Sequence, residues 1–191
     1  MARPSTHHDI AASIDRDTIA KARTGDKQAL TVILDAHHDQ IHRMLVHLVG
    51  RSAEIDDLRQ GVLLAIVQGI ARFRSDSTLS TWIGGICVNV AKTHYRAKRL
   101  RAERNVADGQ VEIDRAHARD AVRQLESRDE LARVEAALAV LSAEQRAAFV
   151  LASVYGHSVN EIADMMSAAR STTRLRLYYA RKKFFAALGG E

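Results

Sequence analysis

Residues 73–82 read Phe-Arg-Ser-Asp-Ser-Thr-Leu-Ser-Thr-Trp and carry the only tryptophan of the chain. Clustered Ser, Thr and Asp side chains bond to nearby backbone and favour turns over helix interiors. The stretch therefore predicts a turn over 74–80 and a helix from Thr81 to about Arg101. On its upstream side, Ser52 to Asp56 opens a helix in which Leu58, Val62, Ile66 and Ile70 form one apolar stripe. On its downstream side, Ile83, Ile86 and Val90 define a buried face, and Lys92, Arg96, Lys98, Arg99, Arg101 and Arg104 make the rest of the helix basic. A polar turn, an aromatic anchor and a basic helix suit a protein that holds a nucleic-acid strand.

Outward from this stretch the punctuation is helical throughout. Residues 1–16 are polar and irregular, as in a loose terminus. A short helix runs from Asp17 to Thr24 and stops at Gly25. A long one covers 27–49, with Leu30, Ile33, Leu34, Ile41, Leu45 and Leu48 at helical spacing and Gly50 at its end. Residues 102–129 are rich in Arg, Asp, Glu and Gln, are broken at Asp108-Gly109 and read as a linker. Beyond it, Ser127-x-x-Glu130, Ser142-x-x-Gln145 and Ser158-x-x-Glu161 fit the capping box. Each precedes an apolar set: Leu131, Val134, Leu138 and Leu141; then Phe149, Val150 and Val154; then Val159, Ile162, Ala163 and Met166. A last helix turns Thr173, Leu177, Ala180, Phe184 and Leu188 inward. A short helix at 159–166, a turn and a longer basic helix read as a helix-turn-helix. The expected fold class is all-α, with two small helical domains (17–101 and 130–188) on a flexible linker.

Composition agrees and excludes several classes. Hydrophobic residues make up 47% of the 191, only 5% are aromatic, and there is one proline. No apolar run approaches the roughly 20 residues of a membrane span, and the N-terminus lacks the pattern of a secretory signal. The single cysteine, Cys87, forbids an internal disulfide, reads as a small buried hydrophobe and fits a reducing cytoplasm. There is no phosphate-cradling glycine loop and no nucleophile elbow, and Cys87 has no local base, so the chain reads as neither an enzyme nor a cofactor carrier. His38 and His42 stand at i, i+4 with His37 and His47 nearby, a spacing that can hold zinc. No cysteine or acidic triad completes a site, and no metal is expected.

The net charge of +5 is concentrated in 92–104 and 170–183. Asn89, Lys92, Arg96 and Arg99 recur at i, i+3, i+7 and i+10, so one helix face carries an amide able to read a base edge and cations able to hold phosphates. On the last helix, Arg170, Arg174, Tyr178 and Arg181 face outward, flanked by Arg176 and Lys182. In a helix-turn-helix the start of this helix enters the major groove, where Arg174 could meet a guanine edge and Leu175 a thymine methyl.

These residues bring a family into view. Asp56-Asp57-Leu58-Arg59-Gln60, then Arg72-Phe73-Arg74-Ser75-Asp76-Ser77, Ser80-Thr81-Trp82 and Asn89 closely resemble region 2 of the extracytoplasmic-function sigma factors. Ala22 to Leu30 resembles the beginning of that region, and Leu141 to Ala163 looks like region 4. The resemblance implies a factor without covalent chemistry that joins core RNA polymerase, through the clamp helices of its largest subunit and the flap of the second-largest. It implies promoter DNA as the second partner and an anti-sigma factor as the third, with no membrane insertion. Asp56, Asp57 and Gln60 would face the polymerase clamp. Phe73, Arg74, Ser75, Asp76, Ser77 and Thr78 would receive an extruded base of the −10 element, with Asn89 beside them and Lys92, Arg96 and Arg99 on phosphates. Trp82 would brace the turn. Arg170, Ser171, Thr172, Arg174, Leu175, Arg176, Tyr178 and Arg181 would meet the −35 element.

Four departures from the family pattern carry expectations of their own. Gly61 stands where a Glu is usual and removes a polymerase-binding side chain. Gly84-Gly85 replaces a usual Tyr-Arg, which predicts a looser helix above the base pocket. Val67 takes a position that is often aromatic. Ser167 to Thr172 replaces a glycine-containing turn, so either a serine is strained there or the turn differs. A helix-turn-helix repressor needs only 142–185. A degenerate sigma-like protein would bind polymerase, an anti-sigma partner or DNA without initiating transcription.

Overall fold

The computed structural model describes residues 14–107 and 130–189, which are helical apart from short turns. The segments expected as a loose terminus and a linker lie largely outside them, as do Ser127 and Asp108-Gly109. Helix α1 (Arg16–Arg23) is capped by Asp15, whose carboxylate accepts from the Thr18 amide at 2.6 Å. Helix α2 (Lys27–Val49) is capped by Asp26 in the same way at 2.9 Å and ends at Gly50, whose φ of 91° an L side chain resists. Helix α3 (Ile55–Gly69) runs into a single 3-10 turn, Ile70–Arg72.

Helix α4 (Leu79–Ala107) begins two residues before the expected Thr81, because Thr78 caps it: the Thr81 amide donates to Thr78 Oγ1 at 3.1 Å. It also outlasts the expected end at Arg101, supported by an Arg99–Glu103 pair at 3.3 Å. The second half holds α5 (Glu130–Ala139), α6 (Ala143–Ser153), α7 (Val159–Met165) and α8 (Arg170–Ala187). Both expected capping boxes within the described residues form, at Ser142/Gln145 and Ser158/Glu161. Together the helices match the expected all-α class.

The core of the first half is Ile33, Ile41, Leu45, Val62, Ile66, Ile70, Ile83 and Cys87, all buried. In the second half Phe149 and Phe184 lie 4.4 Å apart between ring centroids, with Leu151, Ile162, Leu177 and Ala180 around them. Three apolar residues expected inside are not. Leu131 and Val134 are exposed because α5 buries only its C-terminal half, and Val154 lies one residue past the end of α6.

The two halves do not stand apart. One continuous apolar core runs through both, with α6 and α7 packed against α2 and α4. Arg146 of α6 reaches back so that its Nε donates to the His47 carbonyl at 2.8 Å, near the C-terminus of α2. His47 Nδ1 lies 3.1 Å from the Tyr155 hydroxyl, and Arg51 pairs with Glu135 at 3.0 Å. This packing explains a wider burial than the sequence stripes suggest. Besides Ile83, α4 buries Gly84, Cys87, Val88 and Ala91, and α6 buries Arg146 through Leu151 without a break.

Candidate nucleic-acid interface

The 73–82 stretch forms an exposed loop on an aromatic footing. Phe73 is buried, 3% exposed, with its ring 5.3 Å from that of Trp82. It is therefore a foot of the loop and offers no face to a base, unlike the contact expected of it. Trp82 in turn lies over Gly69, where a Cβ would come within 3.1 Å of the indole, so the glycine makes room for the anchor. Arg74, Ser75, Asp76, Ser77 and Thr78 are all exposed above this footing. Ser75 holds φ at 60°, which turns the loop sharply, and the Thr78 and Thr81 hydroxyls are 2.8 Å apart. Gln40 of α2 donates to Ser80 Oγ at 2.6 Å and ties the start of α4 to the body of the protein. Sequence reading missed this bond, since forty residues separate its partners and neither residue type is distinctive.

Along α4 the exposed row is Asn89, Thr93, Arg96 and Arg99. Thr93 was not among the expected residues, and it donates its hydroxyl to the Asn89 carbonyl at 3.0 Å. Lys92 leaves the row: its Nζ donates to the Met166 carbonyl at 3.3 Å, so the second half of the chain holds a cation expected on DNA.

In the second half, Arg170, Ser171, Thr172, Arg174, Leu175, Tyr178 and Arg181 are exposed on α8, and Arg176 is half-buried. Ala169 caps this helix without a side-chain bond, so its first amides are open to an anion such as a phosphate. Arg174, Tyr178, Arg181 and Phe185 line a groove of about 730 Å³ along the helix. The turn before α8 settles the choice left open by the sequence. Ser167 has φ of 50° while the Ala168 amide donates to the Ala163 carbonyl at 2.9 Å, so the left-handed turn is kept and the serine bears its strain.

On α3, Asp56, Asp57 and Gln60 are exposed, with Asp56 paired to Arg59 at 3.0 Å. Leu64 and Val67 continue that surface as exposed apolar residues. The histidines do not converge. His37 is buried with Nδ1 2.8 Å from the Ile33 carbonyl, His38 accepts from Arg59, and no group of metal-ligating side chains occurs among the described residues. Burial pushes the Cys87 thiol up to about 12, which keeps it protonated and inert. No helix among the described residues is long and apolar enough to cross a membrane.

These features define a two-part helical protein, one part a helix-turn-helix and the other an exposed loop running into a basic helix. Sigma-70 region 2 is matched by residues 33–101, and Sigma-70 region 4 by residues 131–184. The chain is 32% identical over 183 residues to the ECF RNA polymerase sigma factor SigM of Mycobacterium tuberculosis, covering 92% of this chain and 85% of that protein. It is 28% identical to the RNA polymerase sigma-H factor of Pseudomonas aeruginosa, covering 91% and 93%. Among solved structures it resembles CnrH in complex with the cytosolic domain of CnrY, with a TM-score of 0.63, 23% identity and coverage of 92% and 97%. The sigma factor RpoE of Bartonella quintana, in complex with the anti-sigma factor NepR, gives 0.62 and 23%, covering 85% and 96%. The chain belongs to the extracytoplasmic-function sigma factors of the sigma-70 family. It is thus an RNA polymerase sigma factor, which joins core polymerase and takes it to promoter DNA, and its family is one of initiation factors and not of enzymes.

Proposed function

We propose that the two basic surfaces divide promoter recognition between them. The observation that carries this reading is that the exposed 74–78 loop leads directly into α4, on which Asn89, Arg96 and Arg99 are exposed at helical spacing. A base of the −10 element, unstacked at a cost of a few kcal/mol, enters the loop. The amide of Asn89 meets its edge, and the two arginines hold the following phosphates. Phe73 and Trp82 contribute rigidity and do not stack on the base. Arg170, Ser171, Thr172, Arg174, Leu175, Arg176, Tyr178 and Arg181 meet the −35 element, with the open amides of α8 on a phosphate. Asp56, Asp57 and Gln60 face the clamp helices of the polymerase largest subunit, and the second half faces the flap. The site of action is the cytoplasm, where polymerase works. An anti-sigma partner fits the exposed groove on α8, as RpoE is solved with the anti-sigma factor NepR and CnrH with the cytosolic domain of CnrY. A repressor needs only 142–185, whereas the likeness to SigM runs through 92% of the chain.

Run-off transcription with core polymerase and the DNA upstream of the chain's own gene tests the whole reading. A promoter-dependent product is expected, and polymerase binding without product would overturn it. Asn89→Ala tests the site: open-complex formation should fall at least tenfold while polymerase affinity stays within twofold. Equal loss of both would make Asn89 structural.

A further inference from the structure

Gly84 and Gly85 sit where the second half of the protein touches α4. A Cβ on Gly84 would come within 2.6 Å of Met165 Cε, so the flexible end of Met165 would have to leave the place it fills, and one on Gly85 would already be in van der Waals contact with the Met165 backbone at 3.7 Å. Any side chain longer than alanine at 85 would then run into α7. Gly84 is buried although it lies on the polar side of the stripe formed by Ile83, Ile86 and Val90. One face of α4, from Gly84 and Gly85 through Val88 to Lys92, is thus covered by Met165 and the Met166 carbonyl. Glycine disfavours a helix interior because ordering it costs the most backbone freedom, and here two stand side by side. Nothing in the first half requires them, since Met44, the neighbour there, stands at an ordinary 3.5 Å from the Gly84 position. The need comes from the second half.

We propose that the Gly84-Gly85 face is a docking seat for helix α7 of the same chain, and that the seat holds the unbound protein closed. The seat does not act alone. Arg146 is 6% exposed across the same boundary, bonded to the His47 carbonyl and beside Gly50, and Tyr155 meets His47. Closure has a consequence that rests on the promoter reading above. Elements centred near −10 and −35 lie about 25 base pairs apart, which is about 85 Å of B-DNA at 3.4 Å per pair. Helices α4 and α7 in contact cannot serve both elements, and Lys92 is engaged by Met166. Residues 108–129 can span at most about 75 Å when extended, so covalent geometry permits the halves to part. Asp56, Asp57 and Gln60 stay exposed on α3 in the closed form, but binding that engages both halves at once requires the open one, so its apparent affinity is lowered by the fraction that is open.

The test compares the full-length wild type with Gly84→Gln/Gly85→Gln. Glutamine favours helix more than glycine and tolerates water, so α4 itself gains while the seat is filled. In X-ray scattering the wild type should be compact and the double variant should expand by about 5 Å in radius of gyration, with unchanged helical circular dichroism. Affinity for core polymerase should rise about three- to tenfold. A wild type already as extended as the variant, or a variant that stays compact, overturns the seat. If the double variant loses helical signal, Met165→Gln on the opposite side replaces it, and the same expansion is required. Expansion without any polymerase binding by either protein would leave the seat standing and sink the sigma-factor reading instead.

Discussion

At the scale of single residues, Ser167 is the clearest case of a local rule overridden. An L residue at φ near 50° is disfavoured by contact between its Cβ and the following carbonyl, which glycine lacks. The chain keeps the turn because Ala168 N–H to Ala163 and the burial of Met166 both depend on it. Ser167→Gly should therefore raise stability by about 0.5–1 kcal/mol, read as a higher urea midpoint with unchanged slope. Phe73 shows the reverse. Its place beside Arg74 and Ser75 suggests a surface contact, but an aromatic ring 5.3 Å from a tryptophan gains more from burial than from exposure on a loop. Lys92 is similar: spacing places it with Asn89 and Arg96, and a long flexible stem lets it reach Met166 instead.

At the scale of elements, α3 and α8 each carry a prediction. Gly61 is exposed in mid-helix, and a Cβ there would have only Val90 as a neighbour, at 4.0 Å. Unlike Gly84, it answers no steric demand. Gly61→Ala should stabilise the fold by about 1 kcal/mol, and Gly61→Glu should strengthen polymerase binding several-fold in a direct titration. On α8, Arg181 is exposed about two turns beyond Arg174 and Leu175, the residues nearest the base edges. Arg181→Ala should weaken −35 binding evenly across sequences and reduce the slope of log affinity against log salt by about 1. A change confined to one base position would instead make Arg181 a reader.

At the scale of the whole molecule, closure gathers charged and titratable groups at one boundary. Burial, followed by the nearby Arg146 and Arg43, holds the His47 imidazole below its ordinary 6.5, with the Tyr155 hydroxyl as its neighbour. The closed form thus binds fewer protons at His47 than an open one, in which the ring is free to titrate normally. Closure is unaffected by this group above about pH 6.5 and weakens as the pH falls below it. Scattering at pH 7.5 and pH 5.5 should show expansion at the lower pH, and His47→Gln should remove most of that difference. Expansion that persists in His47→Gln would place the acid response elsewhere.

Helix periodicity, caps and glycine stops were enough to read nearly every element, because they depend on residues within one or two turns of one another. Asp26, Ser142, Ser158, Gly25 and Gly50 each act on their own neighbours, and the stripes at Val62, Ile66 and Ile70 or at Thr173, Leu177 and Ala180 need no knowledge of what covers them. The outward residues of α8 and of the 74–78 loop were legible for the same reason. The choice between separate and packed halves was not. It turns on Gly84 meeting Met165, Arg146 meeting His47 and Arg51 meeting Glu135, pairs some 80 to 100 residues apart whose members carry no mark of one another. Read locally, Gly84-Gly85 loosens a helix; only the approach of α7 shows that the missing side chains are the space into which Met165 fits.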